Sequence, residues 1–204
     1  HLTLGRNQSD ISRHTGNVFS LPIERIFEPE LTEINRLPIR IPISPYDSIE
    51  NARRGNPTSK RMCLDGQWNF QLAPSPSEAP KEWVNKDFDD SSWESIKVPG
   101  AWTRQGKADL PHYTNIVMPW EGLEPPEIPE INPTGLYRTR FDMPRGWNGT
   151  RITIQIESAE SALLLWCNGS FVGLGKDSRL PSEFDLTEFL QDQGNSISLM
   201  VPRW

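Results

Sequence analysis

The sequence is poor in the residues that most often carry catalysis and metal binding. Its 204 residues include two cysteines and three histidines. Cys63 and Cys167 form no Cys-x-x-Cys or His/Cys metal spacing, which argues against a zinc site and against a disulfide framework, so we expect two buried free thiols. The histidines, His1, His14 and His112, cannot be assigned to a catalytic triad from their positions.

The chain also lacks an excess of basic residues and a long apolar run. Its 21 Lys and Arg against 27 Asp and Glu give a formal net charge of −6. A nucleic-acid-binding protein would instead display a basic stripe. No apolar run approaches the roughly 18 residues that a membrane span needs. The sequence therefore predicts neither a nucleic-acid partner nor a membrane partner.

Tryptophan and proline are abundant instead. Eight Trp, a high number for this length, predict either an aromatic core or a surface that contacts a sugar ring or a neighbouring domain. Nineteen Pro favour short strands and ordered irregular segments over long helices. In residues 1–60 the frequent prolines and scattered apolar residues predict an extended arm, partly mobile, that runs over another surface.

From Arg61 onward, apolar residues recur at every second position, as in strands with one buried face. A turn is expected at Asp65-Gly66, and Asn168-Gly169 predicts a β-hairpin with a type I′ turn. Residues 185–193 can form only a short helix. Strands at intervals of roughly ten residues predict an all-β jelly-roll sandwich over residues 61–204. The last strand stops within an apolar run, which predicts a fragment of a longer protein.

The acidic residues show no local pattern that singles out a catalytic pair of carboxylates, such as glycoside hydrolysis requires. The run of Asp87, Asp89 and Asp90 is typical of a solvated loop. Asp185 is better placed to cap the short helix that follows it. The residues alone therefore predict no active site in this chain.

The loop over residues 112–135 is the strongest candidate for binding. Loops of this length are usually functional or disordered, and Tyr113 and Trp120 argue against disorder. The side-chain amide of Asn115 can both donate to and accept from sugar hydroxyls. The alternative is that Asn115 only braces its own loop.

Six stretches together carry a resemblance to a known family. They are "LTEINRL" (31–37), "LDGQWNFQ" (64–71), "VPGAW" (98–102), "YTNIVMPW" (113–120), "NPTGLYRTRF" (132–141) and, most specific, "WCNGSFVGLGKDSRLPSEFDLTEFL" (166–190). With these motifs the chain, from about Ile26 to Trp204, resembles the N-terminal part of the large β-galactosidases of glycoside hydrolase family 2.

The resemblance implies a jelly-roll domain of the galactose-binding type. In the family an immunoglobulin-like domain and a TIM barrel follow, and the two catalytic glutamates lie on the barrel, so we expect this chain to hydrolyse nothing alone. It also implies that Asn115, with a weaker contribution from Tyr113, contacts galactose at the mouth of the barrel. The loop after the hairpin is expected to be a structural clamp, braced by an Asp177–Arg179 ion pair.

Metal ions are implied for the parent enzyme, magnesium and sodium, but no cofactor is expected in this fragment. The family's divalent site aligns with Arg25, Glu28 and Lys176. Two of these are cations and would repel a divalent ion, so we expect that site to be lost, with Glu28 pairing with Lys176 instead. The carboxylate that helps to bind sodium would lie beyond Trp204.

The sequence thus predicts a non-catalytic sugar-binding domain of a hydrolase for terminal β-D-galactosides. Its expected partners are galactosides within the full enzyme, its own downstream domains and further copies in a homo-oligomer. An autonomous carbohydrate-binding module and a purely structural assembly domain are the alternatives. A β-glucuronidase-type parent fits the motifs less well.

Overall fold

Short antiparallel strands form nearly all the regular structure of the chain. The computed structural model describes residues 2–5, 23–41, 43–56, 58–113 and 119–204. The strands are β1 (Leu2–Gly5), β2 (Glu33–Ile34), β3 (Arg61–Met62), β4 (Gly66–Ala73), β5 (Glu94–Val98), β6 (Thr134–Phe141), β7 (Arg151–Ile156), β8 (Leu163–Cys167), β9 (Ser170–Gly175), β10 (Ser182–Asp185) and β11 (Asn195–Pro202).

These strands make two sheets within the described ranges. The order is β10-β7-β1-β3 in the four-stranded sheet and β2-β9-β8-β11-β6-β4-β5 in the seven-stranded sheet. The predicted all-β sandwich is confirmed. The helices are short, namely α1 (Ile49–Arg54) and 3-10 segments at Ile23–Phe27, Pro76–Glu78 and Trp102–Arg104. None of the helices described is long and apolar enough to cross a membrane.

Apolar side chains pack on both faces of the seven-stranded sheet. The main core lies between the sheets and includes Phe70, Leu165 and Phe184. A second core on the outer face is covered by the loop around Trp83 and by Ile26 of the arm. This double coverage explains why every residue of β11 is buried, where a strand with one solvated face would alternate.

The predicted hairpin is confirmed at Asn168-Gly169. The φ angles are 52° and 83°, as a type I′ turn between β8 and β9 requires. The side chain of Asn168 also donates to the carbonyl of Phe189 at 2.8 Å and accepts from the amide of Ser196 at 2.8 Å. Both cysteines are free, but the expected burial was wrong for Cys63, which is exposed on the connection between β3 and β4. Cys167 is buried, and this burial raises the pKa of its thiol to about 12.

Two local predictions were wrong. Residues 185–193 form only a turn at 187–189, because Asp185 accepts from the amide and hydroxyl of Thr187 at 3.0 and 2.6 Å and caps that turn. No turn forms at Asp65-Gly66, because β4 begins at Gly66 itself; β3 pairs with β1, and β4 lies in the other sheet. Residues 63–65 instead carry the chain from one sheet to the other.

The N-terminal arm contributes more to the domain than expected. Residues 2–5 form β1, which pairs with both β7 and β3, and Leu2 is fully buried in the core. These four residues are therefore part of the sandwich. The helix α1, capped by the Ser48 hydroxyl at one end and by Gly55 with φ of 63° at the other, was also missed among the prolines.

A buried arginine ties the loop of residues 80–93 to the seven-stranded sheet. Arg138 on β6 is 1% exposed, and its Nε donates to Asp90 Oδ2 at 2.8 Å. Its other nitrogens donate to the carbonyls of Trp83 and Asn85 and to the Ser198 hydroxyl. The prediction of a solvated loop was therefore wrong for Asp90, although Asp87 and Asp89 are exposed.

Stability is expected to fall in acid as Asp90 becomes protonated. Burial alone raises the pKa of Asp90, but hydrogen bonds and charges from Arg140 and Arg138 outweigh it, so the pKa lies below its ordinary value. The resulting stabilisation is fully present above the unfolded-state pKa of about 3.9 and is lost as the pH falls through the lower folded-state pKa. Urea unfolding at a series of acid pH values should show a shallower loss of stability for Asp90→Asn than for the wild type; equal slopes for the two proteins would contradict this.

Candidate functional site

The loop predicted to bind sugar, residues 112–135, overlaps the start of β6 and otherwise lies in the connection that runs from the 3-10 segment Trp102–Arg104 to β6. The structure describes residues 105–113 and 119–133 of this connection. Asn115 lies outside the described residues, so its predicted contact with galactose stays a prediction. Tyr113, the last described residue before it, is 66% exposed.

A cavity of about 790 Å³ opens beside this loop, between the two sheets. Its floor consists of core side chains, including Trp68, Tyr137 and Leu199. Its rim carries charged and aromatic residues, among them Asp65, Arg104, Glu160, His112, Arg203 and Trp204. Burial raises the pKa of the Tyr137 hydroxyl, which therefore stays protonated. An apolar floor offers a saccharide few polar partners, so hydroxyl recognition can occur only at the rim.

Trp204 joins the two described parts of the loop. The centroid of its ring lies 6.0 Å from that of His112 and 5.1 Å from that of Trp120, both edge-on. The Arg203 guanidinium lies 4.8 Å from the centroid of the Trp204 ring. Arg203 also donates to Asp109, which accepts from the Trp102 indole nitrogen at 2.8 Å.

Asn132 holds the backbone that carries this aromatic cluster. Its side chain is 2% exposed, and its Oδ1 accepts from the amides of Arg203 at 3.1 Å and Trp204 at 2.9 Å. Its Nδ2 donates to the carbonyl of Trp204 at 2.9 Å. Sequence reasoning missed Asn132, Asp109 and Trp204, because Asn132 meets Trp204 across 72 residues and Asp109 meets Arg203 across 94; only the "NPTG" motif pointed to Asn132.

The predicted Asp177–Arg179 ion pair was wrong. Asp177 lies 3.7 Å from Arg36 of the arm, and Arg179 lies 3.3 Å from Glu160. Arg179 and Glu160 are largely exposed, so their pair contributes little to stability. Both residues of the loop after the hairpin therefore pair with segments outside that loop.

Glu183 on β10 is a buried carboxylate whose partners within the chain the sequence did not reveal. It receives a bidentate pair of hydrogen bonds from Arg40, at 2.6 and 2.8 Å, and one from the Thr153 hydroxyl at 2.8 Å. Asp185 on the same strand accepts from Arg151 at 2.9 Å. Burial raises the pKa of Asp185, but bonds from Thr187 and Arg151 outweigh it and hold that pKa below its usual range.

The positions aligned with a divalent site do not fit a divalent cation. The Lys176 ammonium donates to the main-chain carbonyl of Glu28 at 2.7 Å, and the Glu28 carboxylate pairs with Arg25 at 3.3 Å. The predicted Glu28–Lys176 pairing therefore forms through the backbone and not through the carboxylate. Burial lowers the pKa of Lys176, although Glu28 and Glu30 oppose this. In the described ranges no group of three His, Cys, Asp or Glu side chains could hold a metal.

Comparison with known proteins agrees with the motifs. The family model for the sugar binding domain of glycosyl hydrolases family 2 matches residues 62–204. The chain is 41% identical over 175 residues to a β-galactosidase of Psychromonas ingrahamii and 40% over 176 residues to one of Photobacterium profundum. Each alignment covers 86% of this chain and 17% of the relative, so the chain spans about one sixth of these relatives.

Among solved structures, a β-glucuronidase of Bifidobacterium dentium complexed with coumarin-3-O-glucuronide is similar. The TM-score is 0.53 at 25% identity, over 68% of this chain and 19% of that chain. The resemblance drawn from the six motifs is confirmed at the level of the family. The chain belongs to the sugar-binding domains of glycosyl hydrolases family 2.

Proposed function

We propose that this chain is the non-catalytic sugar-binding domain of a longer enzyme that hydrolyses terminal β-D-galactosides. In that enzyme the loop of residues 105–133 forms part of the active-site wall, and Asn115 binds a hydroxyl of the galactose. The 41% identity over 86% of the chain to a β-galactosidase carries this proposal. The similarity to the β-glucuronidase structure is lower, at 25% identity.

The described side chains support a binding role over a catalytic one. The buried carboxylates Asp90 and Glu183 are each held by arginine in ion pairs that stabilise the sandwich. A general acid needs a raised pKa and a nucleophile needs access to the substrate, whereas the pKa of Asp90 is lowered. The exposed Tyr113 and the rim of the cavity leave the loop open to a partner domain or a sugar.

Replacing Asn115 with alanine in the complete enzyme is expected to raise KM for a β-galactoside about 10- to 100-fold. The reason is that a hydrogen bond lost from a desolvated site costs about 1–3 kcal/mol. Leu110→Ala, which truncates a side chain that is 73% exposed on the same connection and has no role in the proposed contact, is the control and should change KM little. Unchanged KM and kcat in Asn115→Ala would leave only an assembly role for the domain.

The autonomous-module alternative makes a different prediction for the 204-residue chain alone. A loop asparagine with one or two aromatics buries little ligand surface, and binding must offset the ordering of both partners. We therefore expect galactose titration, followed by tryptophan fluorescence, to show no saturation at millimolar concentrations. Saturable millimolar binding would favour the autonomous module.

A further inference from the structure

We propose that Trp204 is a positioning residue for the loop that carries Asn115, and that Asn132 fixes Trp204 in its place. This inference rests on the proposed function of the loop. It does not make Trp204 a substrate-binding or catalytic residue.

Both sides of the loop contact one ring. His112 precedes Asn115 and Trp120 follows it, and both rings meet Trp204 edge-on, at 6.0 and 5.1 Å. Each such aromatic pair contributes about 0.5–1.5 kcal/mol beyond its buried area. Both ends of the segment that carries Asn115 are therefore tied to the same ring, and the entropic cost of closing a loop is lower for a shorter loop than for the whole connection.

The ring of Trp204 and its backbone are themselves held from several directions. Asn132 binds the amide and the carbonyl of Trp204, at 2.9 Å each, in the manner of a neighbouring strand. The Arg203 guanidinium lies against the ring and is fixed in turn by Asp109. A cation over an indole face adds about 0.5–1 kcal/mol at an exposed site.

The aromatic cluster around Trp204 is separate from the hydrophobic cores of the sandwich. Trp204, Trp120 and His112 belong to neither of the two hydrophobic cores formed by the described residues. Trp120 is 37% exposed, and Trp204 lies at the rim of the cavity. Truncating Trp204 therefore removes the ring that the loop contacts. It leaves intact the side chains of the core between the sheets and of the core on the outer face of the seven-stranded sheet.

The test combines kinetics with hydrogen exchange. In the complete enzyme, Trp204→Ala should raise KM for a β-galactoside about 10-fold with a smaller change in kcat, and Trp204→Phe, which keeps a ring, should recover much of the loss. The double variant Trp204→Ala/Asn115→Ala should be little worse than Asn115→Ala, because both changes act through the same contact. In the 204-residue chain, Trp204→Ala should speed exchange in the peptide covering 105–131 and leave β6 and β7 protected.

The outcomes separate the two proposals. An Asn115→Ala enzyme with wild-type KM refutes the proposed function, and the inference fails with it. If Asn115→Ala raises KM but Trp204→Ala has wild-type kinetics, the inference alone is overturned. Strict additivity of the two effects in the double variant would overturn it as well. So would unchanged hydrogen exchange in the peptide covering 105–131. If Trp204→Ala unfolds, Trp120→Phe and Asn132→Asp are tested in its place. Asn132→Asp keeps the oxygen that accepts from the amides of Arg203 and Trp204 but loses the nitrogen that donates to the Trp204 carbonyl. Wild-type KM in both would equally overturn the inference.

Discussion

Replacing Arg138 with methionine is expected to lower the free energy of unfolding by about 3–5 kcal/mol, since breaking a buried ion pair from one side leaves an uncompensated charge. Asp90 would keep only Arg140, whose side chain is 47% exposed. The carbonyls of Trp83 and Asn85 and the hydroxyl of Ser198 would also lose their donor. Urea unfolding followed by tryptophan fluorescence measures the loss, because Trp83 and Trp93 belong to the loop of residues 80–93 that Arg138 holds, and Trp166 on β8 packs against Trp83.

Arg140→Met is the matched control for Arg138→Met. It removes a second partner of the same carboxylate, Asp90, but from the solvated side, so the expected loss is about 1 kcal/mol. Combining Arg138→Met with Asp90→Leu should recover part of the loss, because a buried pair replaced by apolar side chains is often close to neutral. Equal losses for Arg138→Met and Arg140→Met would show that burial does not decide the strength of this cluster.

The features that were predicted correctly are local in sequence. The Asn168-Gly169 turn needs only two residues that accept positive φ, and the period of two marks β6 and β7 whatever their partners are. The features that were missed depend on pairing between distant segments. Nothing near Leu2 indicates that it joins a sheet with Ile154, and Asp90 looks solvated until Arg138 is placed opposite it.

The same limit applies to the candidate site. The motif "YTNIVMPW" singled out Asn115 and Tyr113, since it contains both residues. The anchor of their loop escaped detection, because Asn132 and Trp204 are 72 residues apart and meet only through the register of β11 against β6. Charged pairs were equally hard to assign, as Asp177 and Arg179 take partners from the arm and from the β7–β8 connection.

Replacing Gly173 with alanine is expected to cost about 3 kcal/mol and to detach the arm from the seven-stranded sheet, as overpacked sites lose about 1–3 kcal/mol. A Cβ on Gly173 would lie 2.5 Å from the carbonyl oxygen of Ile34 and 2.6 Å from the ring of Phe184. Phe184 is fully buried in the core. The strand β2, at the edge of its sheet, is therefore the element that can move.

Movement of β2 would release further contacts of the arm. Asn35 donates to the carbonyl of Val172 at 2.9 Å, and Lys176 donates to the carbonyl of Glu28 at 2.7 Å. Trypsin should then cleave after Arg36 and Arg40 several times faster in Gly173→Ala than in the wild type, because an unpaired edge segment opens at lower free energy than the core.

Gly175→Ala on the same strand is the control that isolates the cause. Its Cβ would meet the hydroxyl oxygen of Ser182 at 2.6 Å, and that small side chain can rotate away, whereas the Ile34 carbonyl next to Gly173 is backbone. The Gly175 variant should therefore lose less stability and keep its arm protected from trypsin. Adding Phe184→Leu to Gly173→Ala should restore little, since the backbone contact remains; full recovery would show that the Phe184 ring, and not the arm, sets the space available at Gly173.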